Sequence, residues 1–192
     1  MTPSFAPVRL TLSINNLRAA DACRLAEWIE EITAQLGRCR PADDEAIDLR
    51  EWLALPRALE RDSVWVLRCA QPAADAKRVA VYASARIARH VERYGCVVGT
   101  AARLAAIEAA EAWLVDPTPD RATAAAIVAA DAGYLDPATN VARWAAFAAA
   151  AESSTAAAIA ASTSIREASH ATNYASYATF GAARDHILSV LS

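Results

Sequence analysis

The chain has 192 residues, a formal net charge of −3 and no basic cluster. Nucleic-acid affinity depends largely on neutralising phosphates with Lys and Arg, so this charge balance argues against a nucleic-acid partner. No apolar run of about 18 residues suggests a membrane span, and Met1 to Pro7 lacks the pattern of a signal peptide. We therefore expect a cytoplasmic protein that does not associate with membranes.

Alanine dominates the composition, with 18 alanines in residues 1–100 and 33 in residues 101–192. Alanine loses no side-chain entropy in a helix, and only five glycines are present. The composition predicts an all-α protein with one domain over residues 1–192, built as an alanine-rich bundle or stack of antiparallel helical hairpins. We expect about 7–9 helices. Charged helices that contain tryptophan occupy residues 1–99, and alanine-rich helices occupy residues 100–192.

The N-terminal segment shows a period of two, because Val8, Leu10, Leu12 and Ile14 alternate with polar residues. This pattern predicts a short strand or an extended arm packed on helices, since no partner strand is evident elsewhere. Ser13 is a good N-cap for a helix that starts at Ile14. Apolar residues then recur at helical spacing as far as Leu36, which predicts one long amphipathic helix that stops at Gly37.

Three further helices are predicted before residue 100. The first is capped by Asp43 or Asp44 and closed by Pro56. A short helix over residues 62–70 is broken by Pro72, and a long helix covers residues 73–94.

The stretch from Ala101 to Ala151 contains an internal echo with a shift of 20 residues. Asp116-Pro117 and Asp136-Pro137 occupy matching positions, each after one alanine-rich segment and before another. Asp is a good N-cap and Pro fits the first helical position, so each pair predicts a helix start. Gly133 predicts the stop of the middle helix. The stretch therefore reads as three consecutive antiparallel helices.

Small side chains in this stretch allow helix axes to approach closely, at the short end of about 8–10 Å. We expect Ala125 and Ala145 to lie in such contacts. Larger apolar anchors must then come from Trp113, Trp144 and Phe147. The stripe Val141, Trp144, Phe147 and Ala151 is the predicted core face of the third helix.

After Ser153 the chain predicts another helix with a polar middle. One long helix is preferred, and two helices with a break near Ser162 or Gly181 are the alternative. Arg and Tyr are enriched at energetically important interface positions. We therefore identify a candidate partner-binding stripe here, against the simpler interpretation of an exposed helix face. It consists of Arg166, Glu167, His170, Asn173, Tyr174 and Tyr177.

No pattern of catalytic or ligand-binding residues is complete. His90, His170 and His186 are far apart, and the four cysteines include no CxxC pair, so we interpret them as reduced thiols. Glu108 and Glu111 lack the histidines of a di-metal carboxylate site. Residues 95–100 match neither glycine-rich phosphate motif. The sequence therefore predicts a non-enzymatic protein with no catalytic residues, cofactor or metal.

Two stretches carry a family resemblance. The first is Asn16-Leu17-Arg18-Ala19-Ala20-Asp21-Ala22-Cys23, followed by Leu36-Gly37 and Leu49 to Leu53. The second is Ala80 to Tyr94 leading into Ala106-Ile107-Glu108-Ala109-Ala110-Glu111-Ala112-Trp113-Leu114. This order, over residues 16–135, resembles alanine-rich bacterial proteins described as immunity proteins of toxin systems, and related helical proteins of phages and mobile elements.

The resemblance implies a protein-binding inhibitor that neutralises a toxin by covering its surface, so the expected partner is another protein, a toxin or a host complex. The alternative is a phage or mobile-element protein that acts as a counter-defence inhibitor or a structural scaffold. The family supplies no catalytic residues. Residues 152–173 are rich in Ser and Thr here, which departs from the family pattern.

Overall fold

The computed structural model describes residues 7–20, 25–35, 39–54, 64–92, 99–133, 136–172 and 176–192. Within them the chain is all-α, with nine α-helices, one 3-10 helix and a two-stranded antiparallel sheet, so the predicted fold class and helix number are confirmed. The α-helices are α1 (Ile14–Ala19), α2 (Leu25–Gln35), α3 (Leu49–Leu53), α4 (Ala73–Val91), α5 (Thr100–Val115), α6 (Pro119–Asp131), α7 (Pro137–Ala150), α8 (Ser154–Thr172) and α9 (Ser176–Leu188). The 3-10 helix is Trp65–Arg68, and the strands are β1 (Thr11–Leu12) and β2 (Ile47–Asp48).

Helix α7 is the centre of the fold. It packs against α4, α5, α6 and α8, and nine of its residues are buried. Six of the nine are alanines. A helix with neighbours on several sides has little room for large side chains, and alanine lets each neighbouring axis come close. The predicted burial of Ala125 and Ala145 is confirmed, since neither is exposed to solvent.

The large aromatic residues occupy a different place from the one predicted. Trp113 is buried, but Trp144 and Phe147 are only half-buried and pack together at the rim, with ring centroids 5.4 Å apart. The core face of α7 is therefore Val141 with its neighbouring alanines, and not the stripe through Trp144 and Phe147. The close neighbours of α7 exclude bulky rings from its centre.

The two halves of the sequence echo start their helices differently. α7 begins as predicted, with Asp136 as N-cap and Pro137 at the first helical position. α6 begins instead at Pro119, where the Thr118 hydroxyl accepts a hydrogen bond from the backbone of Arg121. The prediction of Asp116 as cap is wrong because Thr118-Pro119 is itself a cap followed by a first-turn proline. Gly133 ends α6 with a φ of +58°, as predicted.

The N-terminal arm has partners that the sequence did not suggest. β1 pairs with β2, with Thr11 opposite Asp48 and Leu12 opposite Ile47. Thr11 also exchanges two backbone hydrogen bonds with Gln71, and Val8 pairs with the C-terminal residues. The segments that pair with the arm are only one or two residues long. They are therefore too short to show an alternating pattern in the sequence.

The first predicted helix is not continuous. The Ser13 N-cap is confirmed, with a reciprocal capping box to Asn16. However, α1 ends at Ala19, because Ala20 leaves helical geometry with a ψ of 6°. α2 is described from Leu25 onward. A 3.6-residue pattern can continue through such an interruption, so the pattern alone could not show it. Leu36 and Gly37 lie outside the described residues.

The helices predicted between residues 43 and 94 are shorter in the structure. α3 starts at Leu49 with Asp48 as N-cap, because Ile47 and Asp48 are extended and paired with β1, so Asp43 and Asp44 are not the cap. Pro56 lies outside the described residues. Trp65–Arg68 forms a 3-10 helix within the range predicted as residues 62–70. α4 starts after Pro72, as predicted.

The C-terminal segment forms two helices that pack against each other, so the preferred single helix is wrong. The break predicted near Ser162 or Gly181 is also wrong, because both residues lie inside helices. Residues 173–175, between the two helices, lie outside the described residues.

We predict that Ala145→Leu lowers the free energy of unfolding by about 1–3 kcal/mol, because added methylenes overpack a fully buried contact. Ala105→Leu on the exposed side of α5 is the matched control and should change stability by less than about 0.5 kcal/mol. Urea unfolding of both variants measures the difference. Equal stability of the two variants would show that α7 is not closely packed.

Candidate functional site

The exposed side of α8 carries the candidate site. Its exposed residues include Ile159, Arg166 and His170, which we call the α8 stripe. Spacings of 7 and 11 residues are close to two and three full turns, so the three side chains lie within about 40° around the helix. None of the exposed residues of α8, which is described in full, is Asp or Glu. The stripe therefore combines one apolar side chain with cationic and imidazole groups.

The six predicted site residues are only partly brought together. Arg166 and His170 are exposed on one line of α8, and Glu167 is half-buried beside them. Tyr177 belongs to α9, whereas Arg166 and His170 belong to α8. Asn173, Tyr174 and the side chain of Tyr177 lie outside the described residues. Three of the six predicted residues therefore lie in one region of α8, and their role in binding stays a prediction.

Ile159 is the stripe residue that sequence reasoning missed. It is 48% exposed, whereas Ile165 on the same helix is completely buried. Residue 159 lies seven residues, about two helical turns, before Arg166. The helical spacing alone therefore places Ile159 on the same side as Arg166 and His170. This signal was hidden because most of the surrounding residues are alanine, serine and threonine.

The buried side of α8 holds the stripe in place. The buried residues of α8, which include Ala157, Ala161 and Ala168, pack against α4, α7 and the 3-10 helix. The Ser164 hydroxyl, which is fully buried, donates a hydrogen bond of 2.9 Å to the Val141 carbonyl of α7. A fixed buried face presents the opposite face with little conformational cost on binding.

A second candidate is a cleft of about 580 Å³ between the start of α6 and the end of α7. Lys77 lies in it, with its Nζ 4.3 Å from the centre of the Trp113 ring. The same Nζ donates a hydrogen bond of 2.5 Å to the Ala151 carbonyl, the C-cap of α7. Burial lowers the pKa of the Lys77 amine. The ammonium group is thus used to cap a helix terminus and to contact an aromatic face, which is a structural role.

A buried polar cluster joins the starts of α5 and α7. Arg103 is 2% exposed, and its Nη1 donates to Asp136 Oδ2 at 3.1 Å and to Thr139 Oγ1 at 3.3 Å. Asp136 also accepts hydrogen bonds from the backbone of Ala138 and Thr139 as the cap of α7. One carboxylate therefore serves two functions, the cap of a helix and the counter-charge of a buried guanidinium.

Gly99 is required by this cluster. A Cβ added there would lie 2.5 Å from Thr139 Oγ1, 2.7 Å from Asp136 Oδ2 and 2.8 Å from Arg103 Nη1. The glycine that resembled part of a phosphate-binding loop is explained by close packing against an ion pair.

Cys69 and Glu111, two further titratable groups, take part in packing and in an ion pair. Among the described residues, no group of three or more His, Cys, Asp or Glu side chains is arranged to hold a metal ion. Cys69 is buried, which raises the pKa of its thiol to about 11. Glu111 forms a two-point ion pair with Arg89, with oxygen–nitrogen distances of 2.6 and 3.0 Å. Its carboxylate bridges α5 to α4 and is not simply solvated.

Comparison with known proteins gives no relative from which a site could be transferred. No family model matches the chain, and no curated protein or solved structure matches it. In the helices that the structure describes, none has the length and apolar character needed to cross a membrane.

We predict that Asp136→Ala lowers the free energy of unfolding by about 3–5 kcal/mol, because Arg103 then remains buried without its counter-charge. Thr118→Ala, which removes only the cap of α6, should cost about 1 kcal/mol. Asp136→Asn separates the two effects, since an amide still caps the helix and no longer neutralises Arg103. Chemical denaturation of the three variants tests this. Similar losses for Asp136→Ala and Thr118→Ala would contradict it.

We also predict that protonation of His186 destabilises the packing of α9 on α4. Burial lowers the pKa of His186, Arg86 and His90 lower it further, and Asp185 opposes them. The unfolded chain therefore binds a proton more readily than the folded one, with a pKa of about 6.5. The stabilisation that the neutral imidazole gives to the folded state is fully present above that pH. It is lost as the pH falls toward the folded-state pKa.

Thermal unfolding of the wild type and His186→Gln between about pH 7.5 and pH 5 measures this effect. The stability of the wild type relative to His186→Gln should fall on acidification. His170→Gln, which removes an exposed imidazole, is the control. A constant difference between wild type and His186→Gln across this range would contradict the prediction.

Proposed function

We propose that this protein binds another protein through the α8 stripe and inhibits it by covering its surface. The observation that carries the proposal is the line of Ile159, Arg166 and His170, which is exposed on a helix whose other side is held in the core. An apolar side chain flanked by an Arg is the kind of surface that contributes strongly to protein interfaces.

The chemistry of the stripe describes its partner. Ile159 fits a shallow apolar pocket, and Arg166, about 10.5 Å further along the helix, fits a carboxylate. His170 extends the polar contact by one more turn. The partner surface should therefore be apolar at one end and acidic at the other.

The resemblance to immunity proteins motivates the partner class, the toxin of a bacterial toxin–immunity pair. We propose the cytoplasm as the place of action and binding alone, without catalysis, as the mechanism. A counter-defence inhibitor would use the same surface against a host complex, so the identity of the partner distinguishes the two.

Co-expression with a toxin encoded beside this gene tests the proposal. Wild-type protein should restore growth and co-purify with the toxin. Ile159→Asp and Arg166→Asp should each weaken binding at least about tenfold in calorimetry, which corresponds to about 1.4 kcal/mol. Ile159→Asp removes the apolar contact of the stripe, and Arg166→Asp places a carboxylate against the acidic end of the partner surface.

Matched controls lie on α6, where Ile127 is 57% exposed and Arg121 is exposed. Ile127→Asp and Arg121→Asp make the same chemical changes on another helix and should not weaken toxin binding. The proposal is wrong if no neighbouring gene product binds, or if the α8 variants bind as tightly as the wild type.

A further inference from the structure

Helix α6 presents a second exposed line that no contact within the described chain covers. Its buried side, which includes Ala125 and Ala129, packs against α5 and α7. On the opposite side Asp120 and Ile127 are both exposed, and Ile127 is the most exposed isoleucine among the described residues. A separation of seven residues places them within about 20° around the helix. We call this pair the α6 stripe.

The α6 stripe and the α8 stripe are complementary. On α6 the exposed Asp120 lies seven residues before the isoleucine, and a second exposed carboxylate, Asp131, lies four residues after it. On α8 the charged residue, Arg166, lies seven residues after Ile159. In an antiparallel pair, Ile127 can therefore face Ile159 while Asp120 faces Arg166, since both separations are about 10.5 Å.

The parallel orientation does not form the Asp120–Arg166 pair. With the two isoleucines opposed in a parallel pair, Asp120 and Arg166 would lie on opposite sides of the isoleucine contact, about 21 Å apart along the helix axes. Two α6 stripes carry the same charge, as do two α8 stripes, so contacts between identical stripes lack this complementarity.

The positions beside both stripes do not obstruct the contact. On α6 they include Thr123, Ala124 and Ala130, and on α8 they include Thr155 and Ala156. These side chains are small enough for two helix axes to approach to about 8–10 Å. The exposed isoleucines can then pack between them.

We propose that the α6 stripe of one copy binds the α8 stripe of a second copy, antiparallel, with Ile127 on Ile159 and Asp120 paired with Arg166. Because the two surfaces differ, a pair of bound copies still has one unoccupied α6 stripe and one unoccupied α8 stripe. Further copies can bind there, so association continues to a ring or a short filament. A contact limited to one helix per copy is small, so the association is weak and depends on concentration.

Self-association and partner binding exclude each other at the α8 stripe, a statement that rests on the proposed function. The α8 stripe that we assign to the partner is covered in the assembly, so a second copy and the partner compete for it. Asp120 lies outside the partner-binding stripe. Variants of α6 should therefore weaken self-association without weakening partner binding, whereas Arg166→Asp should weaken both.

Sedimentation velocity of the purified full chain, from about ten micromolar to about one millimolar, tests self-association without any partner. The wild type should show a concentration-dependent increase in mass that salt suppresses. Asp120→Arg and Arg166→Asp should each weaken the association at least about tenfold. The double variant, Asp120→Arg with Arg166→Asp, should restore it, because the ion pair is rebuilt with its charges exchanged.

Glu108→Arg on α5 is the matched control, since it makes the same change of charge at an exposed residue on another helix. It should associate as the wild type does. Circular dichroism of every variant establishes that it is folded. If Asp120→Arg disrupts α6, Ile127→Ser at the centre of the contact provides the same test.

A wild type that remains monomeric over the whole range overturns the proposal. So does association that survives Asp120→Arg, or a double variant that remains as dissociated as the single ones. Failure of the toxin experiment leaves these results unaffected, because they are obtained with this chain alone.

Discussion

The close packing of alanine around α7 is the constraint on which the rest of the fold depends. Six buried alanines allow α4, α5, α6 and α8 to lie against one central helix. Each alanine removes little apolar area, so stabilisation comes from many short contacts and not from a few large side chains. The large rings are then confined to the rim, as with Trp144 and Phe147, or to a terminus, as with Trp113 under Lys77.

A packing of small side chains specifies position weakly, because one alanine surface resembles another. The buried polar groups add that specificity. Arg103 and Asp136 set the start of α7 against the start of α5, and Gly99 provides the space for them. Lys77 connects the end of α7 to α4 and α5, and Ser164 connects α8 to α7. These contacts have defined geometry, which apolar contacts among alanines lack.

The same architecture explains why the two exposed stripes are candidates for binding. α6 and α8 both pack on α7 with their alanine sides and leave their opposite sides to solvent. Each exposed side carries an isoleucine that lies outside the core. Two turns from that isoleucine lies a carboxylate on α6 and a guanidinium on α8. A partner protein and a second copy are then alternatives for the α8 stripe, and self-association would hold that stripe covered until a partner of higher affinity displaces the neighbouring copy.

By itself the sequence determined the features that depend on neighbouring residues. These include the helical class, the N-cap at Ser13, the start of α7 at Asp136 and the stop of α6 at Gly133. Each depends on hydrogen bonds or backbone preferences within about four residues. The exposure of Arg166 and His170 was also predictable from their helical spacing.

Only the tertiary structure decided which face of each helix is buried. Ile159 and Ile165 lie on one alanine-rich helix, yet one is exposed and the other buried, and Arg103 is buried while Arg121 is exposed. When most positions are alanine, a helix has little amphipathic contrast, so its local sequence does not identify the inner face. The pairing of β1 with β2 and with Gln71 likewise required distant segments to meet. The candidate site could therefore be assigned in part from the sequence, through Arg166 and His170, but Ile159 and the complementary α6 stripe were decided by the packing around α7.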